Sequence, residues 1–274
     1  MTILEEIFLK EFEEKVTDSQ TLSGGDINEV FLVNDRVVKI NDAKSYPQML
    51  EKEARGLQVL RETNSILIPE VFAFGEIHGK QYLILEKIGK GLRDQAYWET
   101  IASGLANMHQ SSSVQFGWYE DNYIGYLPQS NVWHPRWTEF FIQCRMEPLV
   151  KMAFNDGKLR SENLRQFERM YLELESIFPN ENPSLLHGDL WGGNLMEGLI
   201  DPAVYFGHRE MDLAMTQMFG GFSSNFIELY DQYAPLEPGI DARIPVYNLY
   251  PNLTHLNMFG SSYLFGIESV IRRF

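Results

Sequence analysis

Strand-like and helical patterning occupy different parts of this chain, and that segregation limits the folds open to it. A short amphipathic helix is expected over residues 3–16, with Ile3, Leu4, Ile7, Phe8, Phe12 and Val16 at helical spacing. The texture then becomes β-rich. A glycine turn feeds the run ending at Val33, Asn34-Asp35 is a turn pair, and Arg36–Ile40 is a second run. After a helical pattern over 47–63, two more strand-like runs follow at Pro69–Gly75 and Gln81–Glu86. Beyond the glycines at 89 and 91 the periodicity is helical, with helices expected over 95–110, 135–155, 160–178, 211–233 and 255–273. A stretch at 116–134 rich in Gly, Asn, Tyr, Pro and Trp interrupts the series and reads as a functional insert. The pattern predicts a small β-rich lobe over residues 1–88 and a larger helical lobe over 89–274.

At 274 residues the chain is long enough to bury a core without disulfides or a structural metal. Lys and Arg number 23 against 38 Asp and Glu, a net charge of −15. That balance argues against nucleic-acid binding and against adhesion to anionic lipid. A lone Cys144 and the absence of CxxC or HExxH patterns exclude a disulfide framework and dedicated zinc chemistry. The opening residues carry acids where a signal peptide carries bases, and no apolar run has the length of a membrane span, so a cytoplasmic location is expected. With no secretory signal, the sequon Asn252-Leu253-Thr254 is expected to stay unused.

The strongest chemical signal is the segment from Leu185 to Asn194, closed by Leu199–Pro202. His187, Asp189 and Asn194 have the H-x-D-x-x-x-x-N spacing of a kinase catalytic loop. Phosphoryl transfer accounts for each residue type. A carboxylate, Asp189, orients and deprotonates the attacking hydroxyl, while an amide oxygen, Asn194, and a second carboxylate, Asp201, hold Mg²⁺ on phosphate oxygens. The apolar run Ser184–Leu186 would supply a buried strand to hold the loop. The plain alternative is a His-Gly-Asp turn followed by a helix cap, and it does not account for the whole set.

Upstream, Gly24-Gly25 sits between two β runs, where backbone N–H groups can close over phosphates or simply make a turn. Lys39 lies in an alternating apolar strand, and Glu51 or Glu53 on the following helix is its candidate ion-pair partner. There is no Walker A motif, since Gly75…Gly79-Lys80 is one residue short and lacks the Ser/Thr, and there is no Rossmann glycine pattern.

Three segments carry a resemblance to a known family: His187–Asn194, Ile200–Ala214 with its DPAVYFGHRE core, and Phe116–Gly125. With Pro128–Asn131, Trp137, Arg145, Tyr250-Pro251 and His255-Leu256-Asn257, the chain resembles the fructosamine (ketosamine) kinases over nearly its whole length. The resemblance implies an α+β, two-lobed, protein-kinase-like fold: a small antiparallel β-sheet lobe and a larger, mainly helical one. It implies Mg-ATP-dependent phosphorylation of a sugar hydroxyl of ketosamines, the early products of protein glycation, which then decompose and free the amine. By the same likeness Asp189 is the base, Asn194 and Asp201 are the metal ligands, and Lys39 with Glu53 forms the phosphate clamp. The backbone of Leu85, Glu86, Lys87 and Ile88 becomes the adenine-binding hinge. Asp212 resembles an aspartate that braces the catalytic loop.

Some roles stay open at this level. Trp191 stacks on a sugar or merely packs, and His208 and Arg209 line the substrate cleft or serve as cap and salt bridge. Asp26 stands where some family members carry a redox cysteine, so no such switch is expected, and its acid is expected to point outward. Only six residues separate Asn194 from Asp201, short of the family's usual hairpin. Either Leu195-Met196 and Leu199-Ile200 form two minimal strands around a two-residue turn, or the interval has lost residues. The expected activity is that of a ketosamine kinase acting as a monomer on a small-molecule or protein-bound ketosamine. The rivals are a kinase of another small hydroxylated molecule, of the aminoglycoside or choline type, and a nucleotide-binding scaffold.

Overall fold

The computed structural model describes residues 1–22 and 27–274, so the predicted phosphate turn at Gly24 and Gly25, and the outward Asp26, lie outside the described residues. Helix α1 (Ile3–Phe12) opens on a capping box between Thr2 and Glu5 and stops where Glu13 turns left-handed (φ 57°). It is shorter than its apolar spacing predicts, although Phe12 and Val16 still pack beneath the sheet. The five strands β1 (Ser19–Leu22), β2 (Glu29–Val33), β3 (Arg36–Asp42), β4 (Val71–Ile77) and β5 (Lys80–Glu86) form one antiparallel sheet. Its order is β1-β2-β3-β5-β4, which puts β3 at the centre. Helix α2 (Met49–Glu62) crosses between β3 and β4 and lies against the face opposite α1.

The rest is mainly helical: α3 (Gln95–Met108), α4 (Trp137–Phe140), α5 (Glu147–Asn155), α6 (Ser161–Ile177), α7 (Glu210–Met215), α8 (Phe226–Tyr233), α9 (Ile240–Tyr247), α10 (Leu249–Phe259) and α11 (Leu264–Ile271). Two small hairpins interrupt it, β6 (Asn122–Ile124) with β7 (Leu127–Gln129), and β8 (Ser184–Leu186) with β9 (Tyr205–Gly207). The first hairpin lies within the insert read as loop. The helix expected over 135–155 is one run with a π-helical turn at Phe141–Met146, and this turn carries the fully buried Arg145. The helix expected over 211–233 is two, because Gly220 and Gly221 both take positive φ. The last expected helix begins earlier, ends at Gly260 (φ 98°), and resumes as α11; α9 has no counterpart in the sequence reading.

Two apolar cores result. The smaller lies between α1 and the outer face of the sheet, around Phe8, Val38, Ile40, Tyr82 and Ile84. The larger is continuous from α2 and the inner face of β5, through α3, into the helices of the second lobe. Among the described residues no helix is long and apolar enough to cross a membrane.

Candidate active site

Alternation along β3 sends Val38 and Ile40 into the outer core and Lys39 to the opposite, inner face. A lysine on a central strand ordinarily reaches solvent; this one is buried, and its ammonium is held by two carboxylates. Nζ donates to Glu53 Oε1 at 2.6 Å and also to Asp201 Oδ1. Burial alone pulls an ammonium pKa down, but Asp201 and Glu53 outweigh it and hold Lys39 above the ordinary lysine range. Glu51, the alternative partner, is instead paired with Arg55 one helical turn along at 2.5 Å. Arg55 reaches on to Glu120 of the insert at 2.8 Å, tying α2 to the second lobe.

The loop that carries His187, Asp189 and Asn194, the candidate catalytic loop, leaves β8, whose three residues are all buried. Asp212, at the start of α7, accepts three hydrogen bonds that fix the loop's first turn. His187 N donates at 2.8 Å, Gly188 N at 2.9 Å and His109 Nε2 at 3.2 Å. This is the bracing position expected of Asp212, and it faces away from the cavity. Gly188 sits at φ 82°, and a Cβ there would lie 2.1 Å from the Ala203 carbonyl oxygen, so only glycine fits. Burial holds the His187 imidazole below its usual pKa, hence neutral, and its Nε2–H donates to Ile200 O at 2.9 Å.

Asn194 Nδ2 donates to Asp189 Oδ2 at 3.1 Å and to the Asp189 carbonyl at 2.9 Å, pinning the carboxylate over the loop. Burial pushes the Asp189 carboxyl up to about 7; the Asn194 hydrogen bond opposes this, and the charges of Asp201 and Asp212 add to it. Asp201 itself takes a left-handed backbone (φ 55°) that turns its side chain back to Lys39. The short Asn194–Asp201 interval closes without a full hairpin. One bridge joins Leu195 to Leu199, and the turn is stapled outward by Leu199 N to Leu67 O at 2.9 Å and Glu197 N to Gly89 O at 2.8 Å.

Lys39, Glu53, Asp189, Asn194 and Asp201 therefore meet in one cavity of about 560 Å³. Trp191 lines it too, half-exposed and folded back over Gly193, so it neither packs away nor stands clear of the site. The opposite wall comes from Tyr123 on β6, within the segment read as a functional insert, and from Thr254, His255, Met258 and Phe259 on α10, to which the sequence reading gave no substrate role. The i, i+4 pair His255 and Phe259 was the available signal there.

His208 and Arg209 do not line the cavity. His208 is buried, stacked on Trp137 at 4.6 Å with Nδ1 on the Tyr247 hydroxyl at 3.0 Å. Arg209 closes on Glu181 at 2.7 Å and on the Ala234 and Pro235 carbonyls. Both serve the packing of the helical lobe. Leu85, Glu86, Lys87 and Ile88 run from the end of β5 into the loop before α3, outside the cavity lining, with Lys87 paired to Asp35 at 2.9 Å.

The profile of the family described as fructosamine kinase matches residues 2–274. Among curated relatives, a probable ketoamine kinase of Vibrio parahaemolyticus is 38% identical over 266 residues, covering 92% of this chain and 91% of its own. The chloroplastic protein-ribulosamine 3-kinase of Oryza sativa subsp. japonica is 34% identical, covering 94% of this chain and 78% of the rice protein. A solved structure assigned as a fructosamine-3-kinase, from Thermobifida fusca, superposes with a TM-score of 0.90 at 28% identity, covering 98% of this chain and 97% of that one. The aminoglycoside phosphotransferase APH(4)-Ia, crystallised with AMP-PNP and hygromycin B, gives 0.66 at 19% identity, a likeness of fold alone. With the kinase-type loop, the buried lysine clamp and these matches together, the chain belongs to the fructosamine kinase family.

Proposed function

We propose that this protein transfers the γ-phosphoryl group of ATP to a sugar hydroxyl of a ketosamine, of the fructosamine or ribulosamine type. The observation that carries the reading is the meeting of Asp189, Asn194, Asp201 and Lys39 in one cavity of a chain that belongs to this family. Asp189 is the base. Its carboxylate orients the acceptor hydroxyl and takes its proton as the oxygen–phosphorus bond forms and ADP leaves. Lys39, kept charged and aimed by Glu53 and Asp201, holds nucleotide phosphate oxygens. The segment Leu85–Ile88 joining the lobes receives the adenine, which puts the division between them near residue 88.

The donor set suits Mg²⁺. Asn194 Oδ1 accepts no hydrogen bond among the described residues, and Asp201 adds a hard carboxylate oxygen beside it. Bound there, Mg²⁺ would neutralise charge on the phosphate oxygens.

An aminoglycoside acceptor calls for an acidic wall. The wall opposite the catalytic loop, formed by Tyr123, Ile124, Thr254, His255, Met258 and Phe259, carries no carboxylate. The test is ATP turnover on a ribulosamine, with kanamycin and choline as competing acceptors and Asp189→Asn as control. Turnover on the ribulosamine alone, falling about 10²–10⁴-fold in the variant, is expected. An unaffected rate in the variant removes Asp189 from the chemistry.

A further inference from the structure

The mouth of the cavity carries aromatic surface that a soluble domain ordinarily buries. Trp191 is 37% exposed, Phe219 40% and Phe259 49%. They are not scattered. The Trp191 ring meets Phe219 edge-on at 5.7 Å, Phe219 meets His255 at 4.7 Å, and His255 meets Phe259 at 5.4 Å. The chain of rings thus runs from the catalytic loop out across the end of α10.

Backbone geometry holds these rings in place. A Cβ on Gly192 would lie 2.3 Å from the Gly220 carbonyl oxygen, so the catalytic loop and the turn after Phe219 touch backbone to backbone. A Cβ on Gly193 would lie 2.2 Å from the Trp191 ring, and Gly221 takes φ 91°. Trp191 and Phe219 are locked side by side at the surface, where burial would otherwise draw them inward. His255 is fixed from below, with Nδ1–H donating to Pro251 O at 2.7 Å. Burial keeps its imidazole below the usual pKa and uncharged, so the ring chain carries no formal charge.

We propose that the rim formed by Trp191, Phe219, His255 and Phe259 is the subsite for the amine substituent of the ketosamine, and that it selects extended alkyl amines over short ones. This rests on the ketosamine kinase reading. With the sugar hydroxyl at Asp189, the amine and its substituent leave the cavity toward solvent, and the rim is continuous with the cavity at Trp191, His255 and Phe259. The secondary ammonium of a ketosamine is attracted to aromatic faces. The other lip disfavours it, because Lys52 lies there, its ammonium 5.7 Å from the centre of the Tyr123 ring. An alkyl stem crossing the rim then covers ring surface that is otherwise wet.

The test is a series of ribulosamines built on methylamine, butylamine and glycine, comparing kcat/KM within each enzyme so that differences in active fraction cancel. For the unmodified protein, butyl should exceed methyl by about tenfold, from three methylenes partly withdrawn from water. Phe219→Ala and Phe259→Ala should each bring that ratio to about two, and Phe259→Leu should keep most of it. A ratio near one in the unmodified protein, or one unchanged in both alanine variants, overturns the proposal while leaving ketosamine phosphorylation intact. Failure to phosphorylate any member of the series defeats the functional reading itself.

Discussion

Replacing Asp212 by Asn exchanges one carboxylate oxygen for an NH₂ group away from the reacting hydroxyl and should nevertheless disable the site. With its carbonyl oxygen placed toward His187 N and His109, the amide keeps two of the three hydrogen bonds. Its NH₂ group then faces Gly188 N, which is left without an acceptor in a buried position. One orphaned buried N–H costs about 1–3 kcal/mol, and two charge-assisted bonds become neutral ones, so a loss of about 3 kcal/mol is expected. With an unfolding entropy of roughly 2.1 cal/mol/K per residue, a chain of this length loses about 5 °C of Tm for that cost. Because Gly188 immediately precedes Asp189, the proposed base, kcat should also fall, by about 10–100-fold for a misplacement near 1 Å. Tyr230→Phe gives a graded companion. It removes the hydroxyl 2.8 Å from His109 Nδ1, at the far end of the same relay, and should cost about 1 kcal/mol with little effect on kcat. Calorimetry and steady-state kinetics on the purified protein read both quantities. A Tm within 1 °C of the parent together with kcat within twofold would refute the bracing role of Asp212.

Three further outcomes follow from the same geometry. Lys39→Met leaves Glu53 and Asp201 facing one another and should destabilise the fold by about 3 kcal/mol as well as abolish turnover, whereas Glu53→Gln keeps the Asp201 partner and should be milder in a denaturant titration. The role proposed for Asp189, accepting a proton, requires an ionised carboxylate. Since burial raises its carboxyl to about 7, kcat/KM should fall tenfold per unit as pH drops below that value, and the midpoint should move lower as Mg²⁺ concentration rises. A pH-independent profile from 5.5 to 8 contradicts this. Gly198→Ala drives a Cβ to 1.9 Å from the Leu67 carbonyl oxygen and must break the Leu199–Leu67 bond, for a cost of about 1–3 kcal/mol in thermal unfolding; a neutral effect removes the staple from consideration.

What the sequence disclosed and what it withheld divide along physical lines. Period-two alternation put Lys39 on one face of a strand, and the tight spacing of His187, Asp189 and Asn194 placed three groups within one loop. Such local signals survive in a one-dimensional string. The choice of Glu53 over Glu51 needed the family likeness, because both lie in the first turns of α2 and the sequence pattern does not say which of them faces β3. His208 and Arg209 looked like cleft residues because they follow Asp201 closely. Their surroundings, Trp137, Tyr247 and Glu181, come from distant segments that no local pattern could assemble. The wall on α10 stayed hidden for the same reason, and the break within 211–233 depended on how two glycines pack against the catalytic loop. The brevity of the 195–200 turn looked like a defect in the sequence. It is accommodated because Leu67 and Gly89 take over the hydrogen bonds a longer hairpin would satisfy internally.

The larger apolar core passes without interruption from Leu50, Ala54, Leu57, Leu60, Leu83 and Leu85 into the helices beyond residue 88. A cut at the junction would strip water-excluding cover from a whole sheet face and from α2 at once. Residues 1–88 expressed alone should therefore aggregate, and swapping that half for its counterpart from a distant kinase should fail unless the facing helices are exchanged with it. The shared core makes the sheet and the helices behind it a single folding unit, so neither side of the seam has an apolar face it can cover alone.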